Sequence, residues 1–89
     1  MLHILKNDGR IVSYQLNKVS RSIRLSCQAA ELEAYQTTQT ITAVLTSLHQ
    51  WFENKEEVTT EDIRTQIIKS LASVQPQAAI IYESARSLE

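Results

Sequence analysis

Three cations stand where ordinary surface patterning would not put them, and together they suggest anion binding. Alternation along the first residues places Leu2, Ile4 and Lys6 on one strand face, so that a charge ends an apolar row. Lys18 falls in the first turn of the first predicted helix, where the dipole opposes a positive charge by a few tenths to about 1 kcal/mol. Arg64 falls in the first turn of a later helix, angularly between Ile67 and Ile68 and so inside an apolar arc. Taken singly, each has an ordinary explanation: a strand-end lysine is solvated, a helix absorbs the penalty, and an arginine snorkels. A bound polyphosphate accounts for all three, because a helix N-terminus offers free N–H groups to an anion and nearby lysines add point charge. The attraction of one lysine for one phosphate charge at ~4 Å is on the order of 4 kcal/mol at an effective dielectric near ~20. Desolvation removes much of that, so two or three cations are needed. The apolar face of the leading hairpin, near Ile4 and Val12, then offers a surface for a flat base.

Other chemistries find no support. His3 and His49 are far apart and stand in no metal-ligand spacing, and a histidine beside an apolar helical arc reads as a partly buried structural residue. Cys27 is the only cysteine; it forms no internal disulfide, builds no multi-cysteine metal site, and lies on the core side of its helix as a small hydrophobe. With one glycine there is no Gly-rich phosphate loop. No catalytic constellation is present, so an enzyme is not expected and neither is a structural metal.

The elements that must position these cations follow from periodicity. His3 to Lys6 and Ile11 to Tyr14 are short β-compatible runs around Asn7-Asp8-Gly9-Arg10, and Asp-Gly is a strong hairpin signal. Both a two-residue I′ loop and a type I turn with a glycine bulge fit. From about Gln15 the period becomes helical. Leu16, Val19, Ile23, Cys27 and Ala30 form one face, with Lys18, Arg21 and Arg24 as a basic stripe opposite. Ile41, Val44, Leu45, Leu48, Trp51 and Phe52 form the apolar arc of a second helix; the boundary between the two, at residues 28–37, carries no decisive breaker. After a charged turn, Val58 allows a short extended segment. Thr59-Thr60-Glu61-Asp62 reads as a helix start, followed by Ile63, Ile67, Ile68, Leu71 and Val74. Pro76 opens a last helix with Ile80, Ile81, Ala85 and Leu88 inside. The expected fold is α+β: a small N-terminal hairpin, with a third strand near Val58 as the open alternative, covering a four-helix cluster.

Composition sets the outer limits. Eighty-nine residues with 43% hydrophobic and 21% charged side chains describe one small globular domain, expected over 1–87. Leu88-Glu89 reads as a cloning remnant and the chain as a fragment of a larger protein. No apolar run approaches membrane-span length, and the lone thiol fits a reduced, cytoplasmic compartment. The net charge of −1 is unevenly spread: residues 1–30 carry five basic residues against Asp8, while the remainder carries four basic and nine acidic. A small anion near the N-terminal segment is favoured, and nucleic acid is disfavoured because no aromatics interleave with the Arg21–Arg24 stripe.

The run Leu5-Lys6-Asn7-Asp8-Gly9-Arg10-Ile11-Val12-Ser13-Tyr14-Gln15-Leu16-Asn17-Lys18-Val19 resembles the opening of an ATP-cone, whose pattern is roughly hydrophobic, Lys-Arg-Asp-Gly-Arg, a short spacer, Phe-Asp, two residues and Lys-Ile. Val58-Thr59-Thr60-Glu61-Asp62-Ile63 resembles that family's Val-Thr-x-x-x-Ile helix start, and Pro76 to Arg86 its last helix. The resemblance implies a regulatory, non-catalytic domain that binds ATP or dATP, with Mg accompanying the nucleotide. It also implies allosteric control of a ribonucleotide reductase, with the remainder of a larger protein or reductase subunits as partners. Carried over by position, Lys6 and Lys18 face the phosphates and Ile4, with Val12 beside it, meets the base; Thr60, Arg64 and Arg86 complete the expected site. Three positions depart from the pattern: Asn7 replaces an arginine, Ser13-Tyr14-Gln15 replaces Pro-Phe-Asp, and Glu83 replaces an arginine after Tyr82. These departures carry the alternative, a degenerate cone kept as a structural or protein-interaction helical module without nucleotide binding.

Overall fold

Gly9 decides how the chain first turns back. Its φ of 89° is left-handed, its N–H donates to the Lys6 carbonyl at 3.0 Å, and the Lys6 N–H donates to the Arg10 carbonyl at 2.8 Å. A I′ loop would need positive φ at the central residues, yet among the described non-glycine residues only Glu31 and Asn54 have it. The turn is therefore type I with a glycine bulge. The computed structural model of the chain describes residues 2–85; the expected site residue Arg86, the expected core residue Leu88 and the 88–89 junction lie outside them.

The turn joins β1 (His3–Leu5) to β2 (Ile11–Ser13), and the Val58 segment is a true strand, β3 (Glu57–Thr59). β1 is central. It pairs antiparallel with β2 and parallel with β3, in the order β2-β1-β3. Ile4 stands opposite both Val12 and Val58, so one sheet face carries an apolar row across all three strands. Val58 is buried, which makes this the face turned to the interior.

Four helices lie under the sheet: α1 (Leu16–Ala29), α2 (Ala34–Phe52), α3 (Thr60–Val74) and α4 (Pro76–Ser84). The undecided boundary at 28–37 is closed by backbone geometry. Glu31 takes φ 63°, its N–H donates to the Gln28 carbonyl, and the Leu32 N–H reaches back to the Cys27 carbonyl. That pair of bonds is a Schellman motif with glutamate in the place glycine usually holds. α3 starts at the expected threonines. Thr59 accepts from the Asp62 N–H at 3.0 Å, and the Asp62 carboxylate accepts from the Thr59 N–H at 3.4 Å, a reciprocal cap. Pro76 is the first residue of α4, where its missing N–H costs nothing.

The core is built from Ile23, Cys27, Ile41, Val44, Leu48, Ile63, Ile67 and Leu71, with Ala78, Ala79 and Tyr82 from α4. Burial pushes the Cys27 thiol up, as for an inert core cysteine. Three residues expected in the core are exposed. Leu16 is 44% exposed and Val74 45%, because each sits in a terminal turn beyond the reach of its neighbours. Ile80 is 59% exposed, since α4 contacts both α1 and α3 and turns its alanines and Tyr82 inward. His49 is exposed, contrary to the expected partial burial, and stacks on Phe52 with ring centroids 5.8 Å apart. Among the described residues, no helix is long and apolar enough to cross a membrane.

Candidate functional site

The interior face of the sheet does not close completely on the helices. Between the sheet, the start of α1, the start of α3 and the ring of Tyr82 lies a cavity of about 290 Å³. Each wall follows from local structure. Strand alternation sends Ile4, Lys6, Arg10 and Val12 to the same side, because Lys6 and Arg10 are the pair that follows Leu5 and Ile11 in the ladder. The change from β2 to helix at Tyr14-Gln15 brings the first turn of α1 to the rim. Gln15 caps that helix without a side-chain hydrogen bond, and the first turn contains no acid. The exposed Lys18 therefore stands beside backbone N–H groups that the Gln15 side chain does not cap.

α3 contributes the opposite wall through Thr60, Ile63, Arg64 and Ile67. The Thr60 hydroxyl donates to the Leu5 carbonyl at 3.4 Å, which ties the helix start to the central strand. Arg64 has a second attachment: its guanidinium donates to the Glu83 carbonyl in the last turn of α4 and lies 5.8 Å from the centroid of the Tyr82 ring. Its position inside an apolar arc thus has a structural use, since it satisfies a helix-end carbonyl.

Tyr14 is a wall as well as a hinge between strand and helix. Its hydroxyl is 2.9 Å from His49 Nε2, and its ring meets Phe52 edge-on at 4.9 Å. Burial pushes its phenol up to about 12, so it keeps its proton. At the turn, the Asp8 carboxylate accepts from the Arg10 N–H at 3.1 Å and from Arg10 Nε at 2.6 Å. These contacts, the backbone one first, hold its carboxyl below the usual range.

Six of the seven residues expected from sequence, Ile4, Lys6, Val12, Lys18, Thr60 and Arg64, line this one cavity; the seventh, Arg86, lies outside the described residues. Arg10, Ser22, Ile67 and Tyr82 also line the cavity without standing among the residues expected from sequence. Arg10 was accessible by alternation from Val12, and Ser22 by the four-residue helical step from Lys18. Tyr82 had no local signal, because only the packing of α4 against α3 brings it there. Among the described residues, no group of histidine, cysteine or carboxylate side chains could hold a metal ion.

The cavity is basic at its turn and helix-start edge and apolar along its floor, which suits a ligand with an anionic end and a flat apolar end. No curated protein matches the chain. The family model of the ATP cone domain matches residues 2–88. Nearly the whole length, from the hairpin through the last helix, is covered by that match, and the chain belongs to the ATP-cone family of regulatory, non-catalytic nucleotide-binding domains.

Proposed function

We propose that the chain binds ATP or dATP in the cavity between sheet and helices and thereby controls a ribonucleotide reductase or a similar partner in the cytoplasm. The phosphates lie against Lys6, Lys18 and the open N-terminus of α1. Mg travels with the triphosphate. The base rests on Ile4 and Val12, and Thr60 and Arg64 close the α3 side; Arg86 is a further expected ligand. The observation that carries this reading is the arrival of two lysines, from a strand end and a helix start twelve residues apart in sequence, at the rim of one cavity with an apolar floor. Control requires that the nucleotide bind two states of the assembly unequally, since an effector shifts an equilibrium only by its differential affinity.

Thermal unfolding in millimolar ATP tests the proposal. At about 100 times Kd, a ligand adds roughly 2.7 kcal/mol of stability. For a domain of this size that corresponds to a rise in Tm of about 10 °C or more. Replacing Lys6 and Lys18 together by alanine should abolish the rise while leaving the Tm without nucleotide nearly unchanged, because Lys18 is exposed and Lys6 only half-buried. A second reading, a cone fold retained for protein contact alone, is favoured by Asn7 and Glu83, which stand where the family pattern has arginines. An unchanged Tm at millimolar ATP and dATP would select it.

A further inference from the structure

Arg10 belongs to none of the roles assigned above, and its placement calls for one. It is the cross-strand partner of Lys6 at the turn end of the sheet, joined to it by the backbone bond of 2.8 Å, and both side chains leave on the cavity side. Its guanidinium is not left to sweep through solvent. Asp8 takes Nε at 2.6 Å and the backbone N–H at 3.1 Å, so one carboxylate holds both the stem and the root of the same residue. An exposed pair of this kind contributes little stability, the two side chains being 67% and 55% exposed. It does restrict the arginine, and with Nε engaged the two terminal NH2 groups are the donors that remain for a ligand. Asn7, by contrast, is exposed in the turn and does not line the cavity.

We infer that Arg10 is a third phosphate ligand, held ready by Asp8, and that it takes over the anion contact that Asn7 cannot make. The inference rests on the nucleotide reading and deepens it. A planar fork next to Lys6 fits the two oxygens of one terminal phosphoryl group, while Lys18 and the α1 N-terminus serve the phosphates nearer the ribose. Arg10 therefore senses the number of phosphates and has no part in recognising the base.

Isothermal titration with ATP, together with amide-shift titration with AMP, separates these roles in the 89-residue chain. Arg10→Gln should weaken ATP about tenfold or more, the order of one charge-assisted hydrogen bond, and leave AMP unchanged. Arg10→Lys should recover part of the loss. Because removing Arg10 also bares the Asp8 carboxylate, the double variant Asp8→Asn, Arg10→Gln is the deciding comparison. A persistent ATP defect there supports direct contact; a return to wild-type affinity would mean that the single variant merely exposed a repelling charge, and would overturn the inference. Affinity for ATP within about threefold of wild type in Arg10→Gln, or equal losses for ATP and AMP, would overturn it too. Failure of the wild-type chain to bind ATP would remove the nucleotide reading itself, which is a different result from wild-type binding with an indifferent Arg10.

Discussion

Among single residues, Tyr14 shows most directly how environment changes a side chain's chemistry. Its hydroxyl faces His49 and its ring is covered by Phe52, so ionisation would place a charge where water is partly excluded. Burial pushes the folded phenol up to about 12 from the ordinary value of 10.0. A raised folded pKa means that the native state holds the proton more tightly than the unfolded chain does. The contribution to stability is complete below pH 10.0 and is lost as the pH climbs through about 12. A spectrophotometric titration should contain a phenolate component near pH 12 that Tyr14→Phe removes, and the denaturant midpoint should fall less steeply over this window in the variant. A wild-type titration lacking that late component would contradict the burial of the ring. In the sequence Tyr14 ends the second β-compatible run and stands within the Ser13-Tyr14-Gln15 departure from the family pattern. Its partner His49 is thirty-five residues away, and no local rule connects the two.

At the scale of elements, two backbone positions with positive φ invite opposite substitutions. Gly9 turns the hairpin at φ 89°, and a Cβ added there would meet nothing within 4 Å. The cost of Gly9→Ala is therefore backbone strain alone, about 1 kcal/mol. Glu31 occupies the left-handed position that ends α1 and already bears that penalty. Glu31→Gly removes strain of about 1 kcal/mol but gains a looser unfolded chain, for a net stabilisation of roughly 0.5 kcal/mol. Paired denaturant melts should move in opposite directions; a loss of stability in Glu31→Gly would mean that α1 does not end in the Schellman geometry. The hairpin was legible in advance because Asp-Gly advertises itself. The end of α1 was not, because Glu carries no turn preference and the motif is closed by backbone bonds that any sequence can make.

Over the whole molecule, α4 decides how tightly the bundle closes. It touches α3 and α1, and Ala78 at that contact is fully buried. Ala78→Leu should overpack the junction and cost about 1–3 kcal/mol, while Ile80→Ser on the outer side should stay within about 0.5 kcal/mol. Thermal melts compare the two directly, and an equal effect would mean that α4 faces the other way. Hydropathy pointed to the isoleucine as the inner residue, and it pointed wrongly. Where one helix wedges between two others, the distance between backbones selects small side chains, and a helix's own apolar pattern does not record that distance.

The sequence by itself determined the leading hairpin, the order of the four helices, the capped start of α3, the proline start of α4 and six lining residues of the cavity, because each rests on spacing, turn chemistry or charge within a few positions. Tertiary structure alone decided that β3 pairs with β1, that α4 buries alanines and Tyr82, and that Tyr14 meets His49. Those outcomes depend on which surfaces meet after the chain has folded back, and the interactions that select them join residues with no periodic relation along it.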